Sequence, residues 1–201
     1  MKLVGLTGGI GAGKSSVSAR LAAKGAVIVD ADALVRELQV KGTPVFDAIV
    51  ERFGPGVVGP DGELDRPGLA GIVFADPDAL KELNGLVWPA VGEEVQRRLA
   101  EQRGTDHVVV LDVPLLVESG RNQGSGVIVV DVHPDVAVER LARDRGMAED
   151  DAWARMARQA SRDDRLARAD FVIDNGGSPE DLDEAVDRAW AWISTLPDEP
   201  A

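Results

Sequence analysis

Gly8, Gly13, Lys14 and Ser15 stand at the spacing G-x-x-x-x-G-K-[ST], within the run Gly8-Gly9-Ile10-Gly11-Ala12-Gly13-Lys14-Ser15-Ser16. These residue types at this spacing suit the gripping of a phosphate chain. Glycine carries no Cβ to hold the backbone away from an anion, and it tolerates φ > 0, so successive N–H groups can converge as a nest. A helix starting beside them adds the positive end of its dipole. The Lys14 ammonium can reach β- and γ-phosphates, and the Ser15 hydroxyl can ligate magnesium. A glycine-rich turn that binds nothing is the competing reading. Against it, the apolar residues Leu3–Leu6 precede the loop, and Val17, Leu21 and Ala22 follow at helical spacing, the strand–loop–helix setting that the motif requires. We therefore expect Gly8, Gly9, Gly11, Ala12, Gly13, Lys14, Ser15 and Ser16 to hold a nucleotide.

Carboxylates recur where strands should end. The β-branched run Ala26-Val27-Ile28-Val29 leads into Asp30-Ala31-Asp32, and Val108-Val109-Val110-Leu111 leads into Asp112. Either Asp30 or Asp32 could simply cap the helix that follows. In parallel α/β sheets, however, ligands bind beyond the carboxyl ends of the strands, which would bring one of the pair near the phosphates. Asp112 fits the magnesium-associated carboxylate of phosphate-loop proteins, or else a turn. Arginines gather later, with Arg140 and Arg143 one helical turn apart and Arg155, Arg158, Arg162 and Arg165 spaced by three or four. Nine acidic residues share the stretch 135–170 with eight arginines, so most of these should be salt-bridged on a solvated face. Arg140 and one other are the candidates for phosphate, since the guanidinium fork matches it bidentately.

Five short apolar strands should position these groups, ending near Asp30, Asp112, Asp131 and Asp174, with the first running into the loop. Alternation with helices implies an α/β fold: a three-layer, parallel, five-stranded sheet with right-handed crossovers. The excursion from Lys41 to Gly104 is longer than a crossover needs and reads as a helical insertion, where Phe46, Phe53, Phe74 and Trp88 form a small core or wall a pocket. A helix over Glu149–Arg168 pairs with the one after Pro134 as a lid. Leu182, Val186, Ala189, Trp190 and Ile193 make the buried stripe of a last helix, and the chain should fray from Pro197.

The 201 residues carry a net charge of −13 and no cysteine. Such acidity argues against a nucleic-acid surface. No apolar run approaches membrane-spanning length and the first strand starts at Lys2 or Leu3, leaving no space for a signal peptide; we expect a cytoplasmic protein with no membrane partner. The residues fit a small-molecule kinase, a nucleotide-dependent switch or an ATPase module, and an N-K-x-D guanine-reading segment is absent. Insertion and lid favour a kinase, which must enclose a second substrate and exclude water.

Nearly end to end, the chain resembles the dephospho-coenzyme A kinases, a phosphate-loop family of small-molecule kinases. The likeness rests on Leu6-Thr7-Gly8-Gly9-Ile10-Gly11-Ala12-Gly13-Lys14-Ser15-Ser16, Asp30-Ala31-Asp32 with Arg36, Phe53-Gly54, Asp61-Gly62-Glu63-Leu64-Asp65-Arg66, Pro114-Leu115-Leu116-Val117-Glu118, Val130-Asp131-Val132, Gln159, and Ala169-Asp170-Phe171-Val172-Ile173-Asp174-Asn175. The resemblance implies transfer of the ATP γ-phosphoryl group to the ribose 3′-hydroxyl of dephospho-coenzyme A, with magnesium. It implies Asp32 as the carboxylate that accepts the hydroxyl proton, and Lys14 and Arg140 as charge balance on the moving phosphoryl group. It further implies Ser15 with Asp112 at the metal, Asn175-Gly176 beside adenine, residues 35–104 as the coenzyme A-binding insertion and 143–168 as the lid on a core of 1–34, 105–142 and 169–201. Trp88 departs from the family, which shows His before this proline. Another kinase of the adenylate kinase-like group, or a nucleotide-binding regulatory module, is the alternative.

Overall fold

The computed structural model describes residues 1–114, 116 and 124–199; Leu115, Val117 and Glu118 of the motif above lie outside the described residues. In chain order the elements are β1 (Lys2–Gly8), α1 (Lys14–Ala23), β2 (Val27–Asp30), α2 (Ala31–Leu38), α3 (Pro44–Phe53), α4 (Arg66–Ala75), α5 (Pro77–Gln102), β3 (Val108–Asp112), β4 (Gly126–Asp131), α6 (Pro134–Arg145), α7 (Glu149–Met156), α8 (Arg162–Ala167), β5 (Phe171–Asp174) and α9 (Pro179–Thr195). They form two compact units, Met1–Asp30 with Gln102–Ala201, and Ala31–Glu101.

The first unit is a five-stranded parallel sheet in the order β2-β3-β1-β4-β5. Its central strands are apolar on both faces, as burial between two helical layers demands. Ile128 and Val130 face Val17 and Leu21 of α1 and Val186 and Ile193 of α9, while Val127 and Val129 pack with Leu116 and Leu166 on the opposite face. This is the three-layer α/β arrangement that the alternation of elements dictates. The α9 stripe is buried as expected, and Ser178 caps that helix by accepting from the Asp181 N–H at 3.2 Å. Two expectations fail in this unit. Glu149–Arg168 is two helices rather than one, because Ser161 accepts from the Asp164 N–H at 3.0 Å and starts α8 afresh, an N-cap within an otherwise helical pattern. The tail does not fray at Pro197: the Glu199 N–H donates to Met1 O at 2.9 Å, and the Ser125 hydroxyl donates to Glu199 at 2.9 Å.

The second unit holds α2 to α5. Thr43 and Asp65 cap α3 and α4 by accepting from the Phe46 and Gly68 N–H groups at 3.2 and 3.0 Å. Of the four aromatics expected to form a small core or wall a pocket, Phe46 is buried, whereas Phe74 is 76% and Trp88 48% exposed. Burial falls instead on aliphatic residues, among them Leu34, Ile49, Leu69, Val91 and Leu99. On α5, Glu94 accepts from Arg97 at 2.7 and 2.8 Å and from Arg98 at 2.8 Å. Those guanidinium bonds hold its carboxyl at about 2, below the ordinary 4.5. A carboxyl depressed by folding adds stability above its ordinary value and loses it as the pH falls through the folded one. Glu94→Gln should therefore melt slightly below the wild type near neutral pH, and the gap should close between pH 4.5 and about 2. The effect is small for so open a pair, and a gap unchanged across a pH series of melts would assign the difference to packing.

Candidate active site

The loop between β1 and α1 lies at the carboxyl edge of the sheet, where register pairs Leu6 with Asp112, Gly8 with Val130 and Asp30 with Asp112. Gly11 and Gly13 adopt φ of 78° and 85°, the left-handed region that glycine enters without cost. Gly8 and Gly9 serve close packing instead: a Cβ would stand 2.7 Å from Val130 O at Gly8 and 2.8 Å from the Arg165 guanidinium at Gly9. At these two positions glycine is needed for contact with protein.

The loop's amides divide into two sets. Ala12 N–H donates to Gly9 O at 3.0 Å, Ile10 N–H to the Gln159 side-chain oxygen at 2.9 Å, and Ser16 N–H to Gly13 O at 3.0 Å. The N–H groups of Gly11, Gly13, Lys14 and Ser15 have no hydrogen-bond partner among the described residues. The first turn of α1 carries no acidic side chain, and Ser15 and Ser16 are exposed. Open donors at a helix N-terminus form an anion cradle.

Asp112, at the end of β3, is only 2% exposed. One carboxylate oxygen takes the Lys14 ammonium, and the other accepts from the Ser18 hydroxyl at 2.6 Å. Ser18 escaped the sequence reading, although it sits one turn after Lys14 on the same helix face. Asp32 lies in the first turn of α2 and is exposed.

Arg140 lines a cavity of about 540 Å³ with Gly13, Ser15, Asn175, Ser178 and Pro179. It makes no salt bridge among the described residues, whereas Arg143 pairs with Asp144 at 2.6 Å. Asn175 is buried, and its side-chain amide donates to Ala12 O at 2.7 Å. Gly176 turns its N–H to Asp174 at 2.8 Å and is not part of the cavity wall, which Gly177 joins.

The α7–α8 segment meets the loop through Gln159 on Ile10 and Arg165 over Gly9. Arg162 grips Asp131 with bonds of 2.6 to 3.1 Å, a bidentate pair that raises the guanidinium pKa. Arg162 is thus one of the salt-bridged arginines expected from composition. Gln159 had marked a resemblance without a role; its contact, 149 positions away in the chain, leaves no local signal.

The chain matches the family model described as CoaE, dephospho-CoA kinase, over residues 2–181. It is 53% identical over 192 residues to the dephospho-CoA kinase of Streptomyces avermitilis, covering 95% of this chain and 93% of that one. The dephospho-CoA kinase of Thermobifida fusca is 52% identical over 192 residues, with 94% and 95% covered. A crystal structure from Thermus thermophilus superposes with a TM-score of 0.82 at 33% identity, covering 95% of this chain and 97% of that one. The dephospho-CoA kinase structure from Campylobacter jejuni, at 21% identity and a TM-score of 0.68 over 96% and 97%, shares the fold. Likeness of this depth, running from β1 into α9, makes one assignment: the chain belongs to the dephospho-CoA kinase family.

Proposed function

We propose that the chain transfers the γ-phosphoryl group of ATP to the ribose 3′-hydroxyl of dephospho-coenzyme A, giving coenzyme A and ADP, in the cytoplasm. The observation that carries the reading is the set of four open amides, at Gly11, Gly13, Lys14 and Ser15, beside the Lys14 ammonium. Together they supply the donors and charge that a triphosphate needs. The 3′-oxygen bonds to the γ-phosphorus, the bond from that phosphorus to the β–γ bridging oxygen breaks, and the hydroxyl proton passes to Asp32. Such a transition state is loose, so Asp32 aims the alcohol more than it forces the attack. Lys14, released from Asp112, and Arg140 offset charge on the phosphoryl oxygens. Asn175 and Gly176 begin the turn on the adenine side.

Magnesium fits the donor set. Ser15 offers an exposed hydroxyl, and Asp112 stands across from Asp30 at the sheet edge; hard oxygen donors suit a cation that keeps several waters. Ser15 would hold the ion directly, and Asp112, one of whose oxygens is held by the Ser18 hydroxyl, would act through water. When bound, the ion neutralises the β- and γ-phosphate oxygens.

The helical unit Ala31–Glu101, which falls close to the insertion 35–104, is the proposed holder of the acceptor, and 143–168 the proposed cap. No helix among the described residues is long and apolar enough to cross a membrane, and the charge of −13 disfavours nucleic acid as acceptor. Following ADP release from ATP with dephospho-coenzyme A, AMP, shikimate and gluconate in parallel tests the reading. Turnover should be fastest with dephospho-coenzyme A by orders of magnitude. Equal turnover of another acceptor would make the chain a different small-molecule kinase, and binding of ATP with no turnover would make it a regulatory module.

A further inference from the structure

Glycine at position 13 permits the phosphate cradle without enforcing it. The Gly13 backbone has φ 85° and ψ 27°, and a glycine can exchange this state for its mirror counterpart at little cost. Rotation of the Ala12–Gly13 peptide plane would turn the Gly13 N–H out of the cradle and the Ala12 carbonyl into it. An inward carbonyl would then repel the phosphate that the amide should bind. Something beyond the glycine must hold the plane.

The plane is held from the residue that follows β5. The Asn175 side-chain amide donates to Ala12 O at 2.7 Å. A carbonyl can only accept, so the nitrogen of that amide is the atom facing it. Asn175 is 8% exposed and is itself fixed, since its main-chain N–H donates to Asp131 O at 2.8 Å. Ala12 is buried too, and its N–H is already committed to Gly9 O. In a trans peptide the C=O and N–H point in opposite directions. Binding the Ala12 carbonyl on the Asn175 side therefore directs the Gly13 N–H the other way, and that N–H is one of the four open donors. Absence of a Cβ on Gly13 is what lets the amide approach, because a Cβ there would overlap the Asn175 nitrogen.

We propose that Asn175 is a positioning residue, holding the Ala12 carbonyl outward so that the Gly13 amide faces the phosphate chain. This deepens the proposed function and rests on the loop's binding of a polyphosphate. Its role differs from a contact to adenine, in which the same side chain would read the base and leave the phosphates indifferent to it.

Calorimetric titration of the whole protein with tripolyphosphate, ATP and GTP separates the two. Wild-type protein should bind tripolyphosphate and ATP. Asn175→Ala leaves a buried carbonyl unsatisfied and the plane unrestrained, so both ligands should weaken by about tenfold or more, together. The preference for ATP over GTP should not change, and neither should the KM for dephospho-coenzyme A. The isosteric Asn175→Asp keeps the side chain's shape but sets a carboxylate against the Ala12 carbonyl. It should weaken tripolyphosphate at least as much, and it serves as the test if the alanine variant does not fold. Unchanged tripolyphosphate affinity in folded Asn175→Ala or Asn175→Asp would overturn the proposal, and with a reduced preference for ATP it would make Asn175 a base contact. Failure of the wild type to bind either phosphate ligand would instead overturn the reading of the loop itself.

Discussion

Asp32→Asn should lower kcat by about 10²- to 10⁴-fold and leave the affinity for ATP unchanged, the range expected for loss of a positioned general base. Asparagine keeps the shape and a hydrogen-bonding oxygen but cannot take the 3′-hydroxyl proton at neutral pH. ATP is proposed to bind through the loop amides and Lys14, none of which the substitution touches. The bland role for Asp32 follows from its position in the first turn of α2, where a carboxylate interacts favourably with the helix N-terminus. That role predicts a different pattern: a lower Tm by a small margin and a preserved kcat. Steady-state kinetics beside thermal melts therefore distinguish proton acceptor from helix stabiliser with one variant.

Lys14→Met should be damaging twice over. The ammonium is proposed to offset charge on the moving phosphoryl group, and removal of one such electrostatic contact to the transition state typically costs about 10²–10³ in kcat. Among the described residues it also leaves Asp112, 2% exposed, with the Ser18 hydroxyl on its second oxygen as its one remaining side-chain partner. Breaking one partner from a buried pair destabilises by about 3 kcal/mol at the low end of the measured range. The two losses separate in a double variant. Lys14→Met with Asp112→Asn removes the stranded charge, so Tm should recover most of its fall, whereas kcat should stay low. If activity recovered with stability, the role of Lys14 would be structural.

Much of the fold could be read because its physics is local. A β-branched run such as Val27–Val29 has one economical use in an α/β chain, and Gly11 and Gly13 of the loop stand where an anion nest needs left-handed backbone. Carboxylates at strand ends were equally plain, since parallel strands place their last residues at the binding edge. Contacts that join distant segments left no comparable trace. Gln159 reaches Ile10, Asn175 reaches Ala12 and Glu199 reaches Met1, each an ordinary polar residue until the sheet brings its partner close. The break before α8 was written in the sequence as Ser161 and Asp164, but the arginine periodicity across it looked like one continuous helix. For Phe74 and Trp88 composition leaves a core role and a pocket-wall role open; the second unit buries aliphatic residues and leaves these two exposed, which removes the core role. Their exposure on a unit proposed to hold a coenzyme A arm gives them a surface on which a ligand can lie.

A crystal structure with a non-hydrolysable ATP analogue and dephospho-coenzyme A together tests the central claim most directly. The account predicts that an Asp32 carboxylate oxygen stands within hydrogen-bond reach of the ribose 3′-oxygen, about 2.6–3.2 Å, with that oxygen in line with the γ-phosphorus. An Asp32 carboxylate separated from the ribose by more than one water, with both ligands bound and the acceptor hydroxyl facing another residue, would contradict it.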